Sequence, residues 1–227
     1  MRIIDHPSPN CEPRPEGLRP DILLLHYTGM KSGPEALARL CAPEAKVSAH
    51  YLIEEDGRVF ALVPEAARAW HAGIASWEGE SDINSRSIGI ELVNPGHEFG
   101  YRPFPDAQIE SLIALSQAIL ERHAIAPQRV LGHSDVAPLR KEDPGELFPW
   151  ERLAGAGIGL WSEAERKDPR PLSQLLALLG YGFLREDEGA VIRAFQRHWL
   201  PGQLTGAPDE RTKRRAAALL ALIESGA

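Results

Sequence analysis

Apolar and polar positions follow three kinds of pattern along this chain. Asp21-Ile-Leu-Leu-Leu-His26 is a short unbroken apolar run that ends on a polar residue, which predicts a strand buried on both faces. Arg86-Ser-Ile-Gly-Ile-Glu-Leu-Val-Asn94 predicts another strand, with β-branched residues at Ile88, Ile90 and Val93. Between them, Ser48 to Val63 holds two β-like runs around Asp56-Gly57, a pair suited to a tight hairpin turn. Helical spacing predicts a helix from Pro34 to Cys41, with Pro34 in its first turn, and a longer one from Asp106 to His123. In the longer helix Ile109, Leu112, Ile113, Ile119 and Leu120 form the apolar face, and Asp106 is expected as its N-cap. Val130-Leu131 is a last short strand that leads into Gly132-His133.

Alternating strands and helices predict an α/β fold, a mixed central sheet flanked by helices. The pattern changes after Trp150. Gly155, Gly157, Gly159, Pro169 and Pro171 mark a linker-like passage, and nothing beyond it is strand-like. Three helical patterns follow, at Leu172–Leu179, Asp187–Trp199 and Asp209–Glu224, with Gly180 as a stop signal for the first. The expected organisation is a larger unit over residues 1–160, a linker over 161–171 and a small three-helix unit over 172–227. Phe195 and Trp199 read as core of that small unit.

Composition narrows the function classes. A formal net charge of −7 over 227 residues argues against a nucleic-acid partner, and a hydrophobic fraction of 43% is ordinary for a packed core. No stretch reaches the length of a membrane span, and Met1 to Pro20 contains no run of signal-peptide type. The chain is therefore expected in the cytoplasm, or in the periplasm or outside the cell if a leader has been removed. Cys11 and Cys41 make no disulfide framework and lack metal-ligand spacing.

Ionisable residues gather where strands end, the usual address of a site in such a sheet. His26 and His133 each follow a strand, and Asp143 stands in the irregular stretch VLGHSDVAPLRKEDPG, ten residues after His133. Two imidazoles and a carboxylate suit a hydrolytic zinc ion, which takes three protein ligands and keeps one position open. The spacing itself matches no local zinc pattern: strand-end histidines are often core residues, and Asp143 before Pro144 also suits a turn. Lys141, two positions before Asp143, offers a cation for a developing oxyanion. Glu91 interrupts an apolar strand, so it is either solvent-facing at an edge or a buried carboxylate with a raised pKa, suited to act as a general base.

These residues fall in segments that resemble the zinc-dependent N-acetylmuramoyl-L-alanine amidases of the type 2 amidase family, which is related to the peptidoglycan recognition proteins. The segments are LLLHYTG (23–29), VSAHYLIEEDGRVF (47–60), AWHAG (69–73), NSRSIGIELVNPG (84–96) and VLGHSDVAPLRKEDPGELFPW (130–150), in order over nearly all of the first 150 residues. LLALLGYG (175–182) and AVIRAFQRHW (190–199) resemble a three-helix peptidoglycan-binding domain. The resemblance implies one zinc ion held by His26, His133 and Asp143, with Glu91 as catalytic carboxylate and Lys141 as catalytic lysine. It implies hydrolysis of the amide between N-acetylmuramic acid, 1,6-anhydro forms included, and L-alanine of the stem peptide. The partners are then peptidoglycan fragments or muropeptides.

Trp70, His71, Asn84 and Arg86 are expected to contact substrate, Arg86 through bidentate pairing with a stem-peptide carboxylate. His50 is expected to be structural, and His6, His97, His123 and His198 carry no functional expectation. The competing reading is a protein that binds muropeptides without cutting them, against which the complete ligand set argues.

Overall fold

The structure is a computed structural model and describes residues 2–226. In chain order its first elements are β1 (Ile3–Asp5), β2 (Cys11–Pro13), β3 (Ile22–Tyr27), α1 (Gly33–Cys41), β4 (Tyr51–Ile53) and β5 (Val59–Ala61). Next come β6 (Ala67–Ala69), α2 (Ile83–Arg86), β7 (Ser87–Leu92), α3 (Gly96–Phe99), α4 (Asp106–Arg122) and β8 (Val130–Gly132). The last are α5 (His133–Val136), α6 (Trp150–Gly155), α7 (Leu172–Leu179), α8 (Glu188–Trp199) and α9 (Glu210–Glu224).

The apolar run ahead of His26 becomes the centre of a six-stranded sheet ordered β1-β5-β4-β7-β3-β8. β4, β7, β3 and β8 run parallel, while β5 returns antiparallel to β4 and β1 lies parallel to β5. The sheet is mixed, as expected. The β4–β5 hairpin forms, with Gly57 at φ +85° after the corner residues and Glu54 N–H donating to Arg58 O at 2.9 Å. β2 and β6 make a separate antiparallel pair.

Side chains alternate across each strand, so the sheet presents two unlike faces. On one face Leu23, Leu25, Ile88, Ile90 and Val130 share a core with Ile109, Leu112, Leu115 and Ile119 of α4. Burial of each such side chain contributes about 1.5–3 kcal/mol. Gln108 fastens α4 to the strand ends, its Nε2 donating to Ile53 O at 2.9 Å and Val93 O at 3.0 Å. Asp106 is not the N-cap of α4: Pro105 holds that position, and the Asp106 carboxylate pairs with Arg152 instead.

The opposite face is covered in two patches. Leu52, Phe60 and Val93 pack under Ala36 and Leu40 of α1. Ile22, Leu24 and Leu131 pack with Leu175, Leu176, Ile192, Phe195 and Leu219 of α7–α9 in one continuous core. Polar residues of β3 and β7 lie on this same face at the carboxyl ends of the strands. The C-terminal helices form where the pattern predicted them. Asp187 and Asp209 cap α8 and α9 by accepting from Ala190 and Thr212 N–H, each at 2.9 Å, and Gly180 ends α7 at φ +111°.

Because α4 lies on the face away from His26, damage there should separate stability from the site. Leu112→Ala is expected to cost about 2–5 kcal/mol by leaving a cavity. Urea unfolding should show that loss with the metal stoichiometry of the folded protein unchanged.

Candidate active site

Sheet order brings distant residues together. β7, β3 and β8 are neighbours, and their registers pair His26 with Glu91 and Leu25 with Gly132. His26 and Glu91 therefore share a face, and His133, one residue past Gly132, comes level with His26. Ser134 N–H donates to Asp143 O at 2.9 Å, which folds the irregular loop back onto α5. His26 Nδ1 and His133 Nδ1 lie 2.9 Å apart, and Asp143 Oδ2 is 3.0 Å from each. All three residues are buried, and they are the metal-capable group found among the described residues.

The surrounding bonds fix the protons. His133 Nε2–H donates to Ala72 O at 2.9 Å, which leaves its Nδ1 with a lone pair. His26 Nε2–H donates to His71 Nδ1 at 3.0 Å, and His71 Nε2 faces Ser87 Oγ at 3.4 Å. Ser87 Oγ–H donates to Ile83 O at 2.6 Å, so every donor in this relay has an acceptor. Burial, reinforced by His133, lowers His26 to about 4, keeping it neutral. Burial would raise Asp143, but positive charge on the His133 and His26 side, a proton here or a metal cation in its place, outweighs it and holds the carboxyl well below the usual range.

Two lone pairs and a carboxylate oxygen thus point at one spot and repel one another unless a cation lies between them. Their spacing is close to the ~3.3 Å edge of a tetrahedral shell with bonds of about 2.0 Å. The donor set fits a zinc ion, and the outer bonds from His26 and His133 are of the kind that orient metal-binding imidazoles.

Glu91 has one oxygen, Oε2, buried without a hydrogen-bond partner. Burial and then Asp143 raise its carboxyl well above the usual value, with Lys141 opposing. Glu91, His133, Asp143, Lys141, Tyr27 and Trp70 all line a cavity of about 170 Å³. From Trp70 and Lys141 an open groove of about 460 Å³ continues past Lys46, Arg68, Asn84 and Arg140, with Glu12 in the same lining and paired to Arg68.

The remaining expectations divide. Trp70 lines both cavity and groove. His71 reaches the cavity wall, yet its ring is committed to His26 from behind. Asn84 Oδ1 accepts from His71 and Ala72 N–H at 3.0 and 2.8 Å and so shapes the loop carrying both. Arg86 requires correction: it stands at the other end of β7 from Glu91, paired with Asp21, and lines neither cavity nor groove. That short-range ion pair at the amino ends of β3 and β7 consumes the guanidinium. His50 is structural, accepting from Gly89 N–H at 2.9 Å and facing Arg14.

The sequence reading missed Gly89, although a glycine inside an apolar strand is a visible signal of close approach. A Cβ there would lie 2.6 Å from His71 Nδ1. It also missed Arg14, whose guanidinium donates to the carbonyls of Glu65, Asn84, Ser85 and Ser87 and ties the loops behind the site.

A mixed sheet that carries a metal-capable triad beside a partly buried carboxylate defines a hydrolase-type cleft. The chain matches the family described as N-acetylmuramoyl-L-alanine amidase over residues 16–146, and it belongs to that family. It is 39% identical to N-acetylmuramoyl-L-alanine amidase AmiD of Escherichia coli over 228 residues, 88% of this chain and 82% of that protein. A structure of AmiD with the substrate anhydro-N-acetylmuramic acid-L-Ala-D-gamma-Glu-L-Lys superposes with a TM-score of 0.79, covering 92% of both chains. AMPDH3 of Pseudomonas aeruginosa, 33% identical, superposes at 0.82 over 92% of this chain and 94% of its own. 1,6-anhydro-N-acetylmuramyl-L-alanine amidase AmpD of Enterobacter cloacae is 37% identical over 164 residues, 65% of this chain and 86% of that protein.

Gly89→Ala should displace the His71 ring and with it the hydrogen bond to His26. The expected result is a zinc affinity lower by about 10-fold or more, read by chelator competition.

Stability of the metal-free protein should depend on pH in a defined direction. His26 (about 4), His50 (about 3) and His71 stay neutral when folded, but protonate near the ordinary 6.5 when unfolded. Each therefore weakens the fold as pH falls below 6.5. Glu91 works the other way, because the folded carboxyl keeps its proton above 4.5 while the unfolded one ionises. With three groups against one, stability should fall on acidification from 6.5 to 4.5, by about 1.4 kcal/mol per pH unit for each unbalanced group. Thermal unfolding across that range checks the sign.

Proposed function

We propose that this chain hydrolyses the amide between N-acetylmuramic acid, including its 1,6-anhydro form, and L-alanine of the stem peptide, using one zinc ion bound by His26, His133 and Asp143. One observation carries the reading: donors from His26, His133 and Asp143 converge at 2.9–3.0 Å in a buried pocket shared with Glu91. The AmiD substrate complex supports the substrate class.

A bound zinc ion supplies Lewis acidity, acidifying water and polarising the scissile carbonyl. Glu91 takes a proton from the attacking water and returns it to the departing amine. Its raised pKa makes it a stronger base than an ordinary carboxylate and leaves it able to return the proton. The Lys141 ammonium balances negative charge developing on the carbonyl oxygen. His71 and Ala72 O take up the Nε2 sides of the two imidazoles, which leaves each Nδ1 facing the metal position. Trp70 offers a flat apolar wall to the glycan or the first peptide residue. The groove cations Lys46, Arg140 and Lys141 suit a stem peptide bearing free carboxylates, while Arg68 is held by Glu12 and Asp82.

Among the described residues no helix is long and apolar enough to cross a membrane. We take soluble anhydromuropeptides as the substrate, the class of molecule bound in the AmiD complex. Relative rates on these and on intact sacculi check that assignment, and sacculus binding checks a glycan-binding role for α7–α9.

Glu91→Gln is expected to keep zinc and lose about 10²–10⁴-fold in kcat, whereas His133→Ala should lose both metal and activity. Metal analysis with mass spectrometry of the products measures all of this. Free stem peptide beginning at L-alanine is the expected product, and cleavage within the peptide or a fully active Glu91→Gln protein would overturn the assignment.

A further inference from the structure

A second buried polar cluster lies against the back of the candidate metal site, and Tyr181, after α7, and His198, in α8, bring the C-terminal part of the chain into it. Asp135, the third residue of α5, is fully buried. Its Oδ2 accepts from Gly132 N–H and from His198 Nδ1–H, each at 2.8 Å. Its Oδ1 accepts the Tyr181 hydroxyl at 2.7 Å. The His198 ring is sandwiched between Trp150, with centroids 3.8 Å apart, and Trp199, at 4.1 Å. These three donors fix the peptide at the end of β8 and the first turn of α5, where His133 stands.

The preceding residue of α8 reaches the other ligand's loop. Arg197 is buried, and its NH2 group donates to Glu142 Oε1 at 3.2 Å while its Nε faces Glu146 Oε2 at 3.7 Å. Glu142 immediately precedes Asp143. Successive residues of one helix therefore hold the segment bearing His133 and the segment bearing Asp143.

Packing alone does not call for this arrangement. A buried carboxylate costs free energy unless it is fully hydrogen-bonded, and an apolar side chain would fill the same space without that demand. What the charged contacts add is direction, and metal affinity depends on how rigidly ligands are oriented.

We propose that Tyr181, Arg197 and His198 are positioning residues of the metal centre: through Asp135 and Glu142 they set the placement of His133 relative to Asp143, making the C-terminal helices part of the ligand geometry. The inference rests on the zinc reading above.

Two variants of the full chain test it. Tyr181→Phe removes a single hydroxyl and keeps the ring in its edge contacts with Trp77 and Phe195. Arg197→Gln removes the charge facing Glu142 and Glu146. Each is expected to weaken zinc binding by roughly 3–10-fold in chelator competition. Each should lower kcat at subsaturating zinc, with KM within about twofold of wild type. In an Asp135→Asn background Tyr181→Phe should weaken zinc binding no further, because the same carboxylate carries its effect.

Zinc affinity within about twofold of wild type in the folded variants overturns the proposal, as does full additivity with Asp135→Asn. If Arg197→Gln does not fold, Tyr181→Phe and the double variant decide alone. Failure of the zinc reading looks different: wild type binds no zinc, or His133→Ala binds it as tightly as wild type, and the inference then falls with that reading.

Discussion

Two imidazole lone pairs and an ionised carboxylate oxygen meet at one buried point, an arrangement electrostatics opposes unless positive charge fills it. Much of the structure is organised to hold that unfavourable meeting in place. Sheet order sets β7, β3 and β8 side by side, and register brings His26, Glu91 and His133 level. The relay through His71 and Ser87 fixes one tautomer, and Ala72 O fixes the other. Burial first and then the Asp143 charge raise the Glu91 pKa, which couples the neighbouring carboxyl to the triad.

The two sheet faces divide the work of holding this unit. The α4 face is a continuous apolar core and supplies much of the burial. On the other face α1 and the C-terminal helices each cover a patch, and the cavity opens toward the strand ends. α8 joins the two tasks, since it packs Ile192 and Phe195 into the core while directing Arg197 and His198 to the loops of the site.

Elements whose burial pattern is local were legible in the sequence. β3 and β7 showed as apolar runs, and α4, α8 and α9 as periodic faces, because each buries a regular stripe of its own residues. Three-residue strands such as β1, β2 and β6, and four-residue helices such as α2, α3 and α5, carry too few residues for any period and depend on their partners. For the site, strand-end position and residue chemistry pointed to His26, His133, Asp143 and Glu91, which the fold does bring together. Arg86 was misjudged because proximity to Glu91 in sequence, along an extended strand, is distance in space. The Asp135 cluster was invisible, since its contacts with Tyr181 and His198 join residues 46 and 63 positions apart.

The basic groove and the metal-capable triad are built from different parts of the fold. The triad stands on strand ends and on a loop tied back to α5, while Lys46 and Arg68 belong to the connection after α1 and to the short strand β6. Substitution of Lys46 can therefore change the charge of the groove while leaving the donor atoms undisturbed. Lys141 and Arg140, which share the Asp143 loop, and His71 and Asn84, which hold the bonds behind the imidazoles, are the exceptions along the groove. Under the proposed function, the preference for one stem peptide over another can then drift on the β6 side of the groove while the chemistry stays fixed at the strand ends.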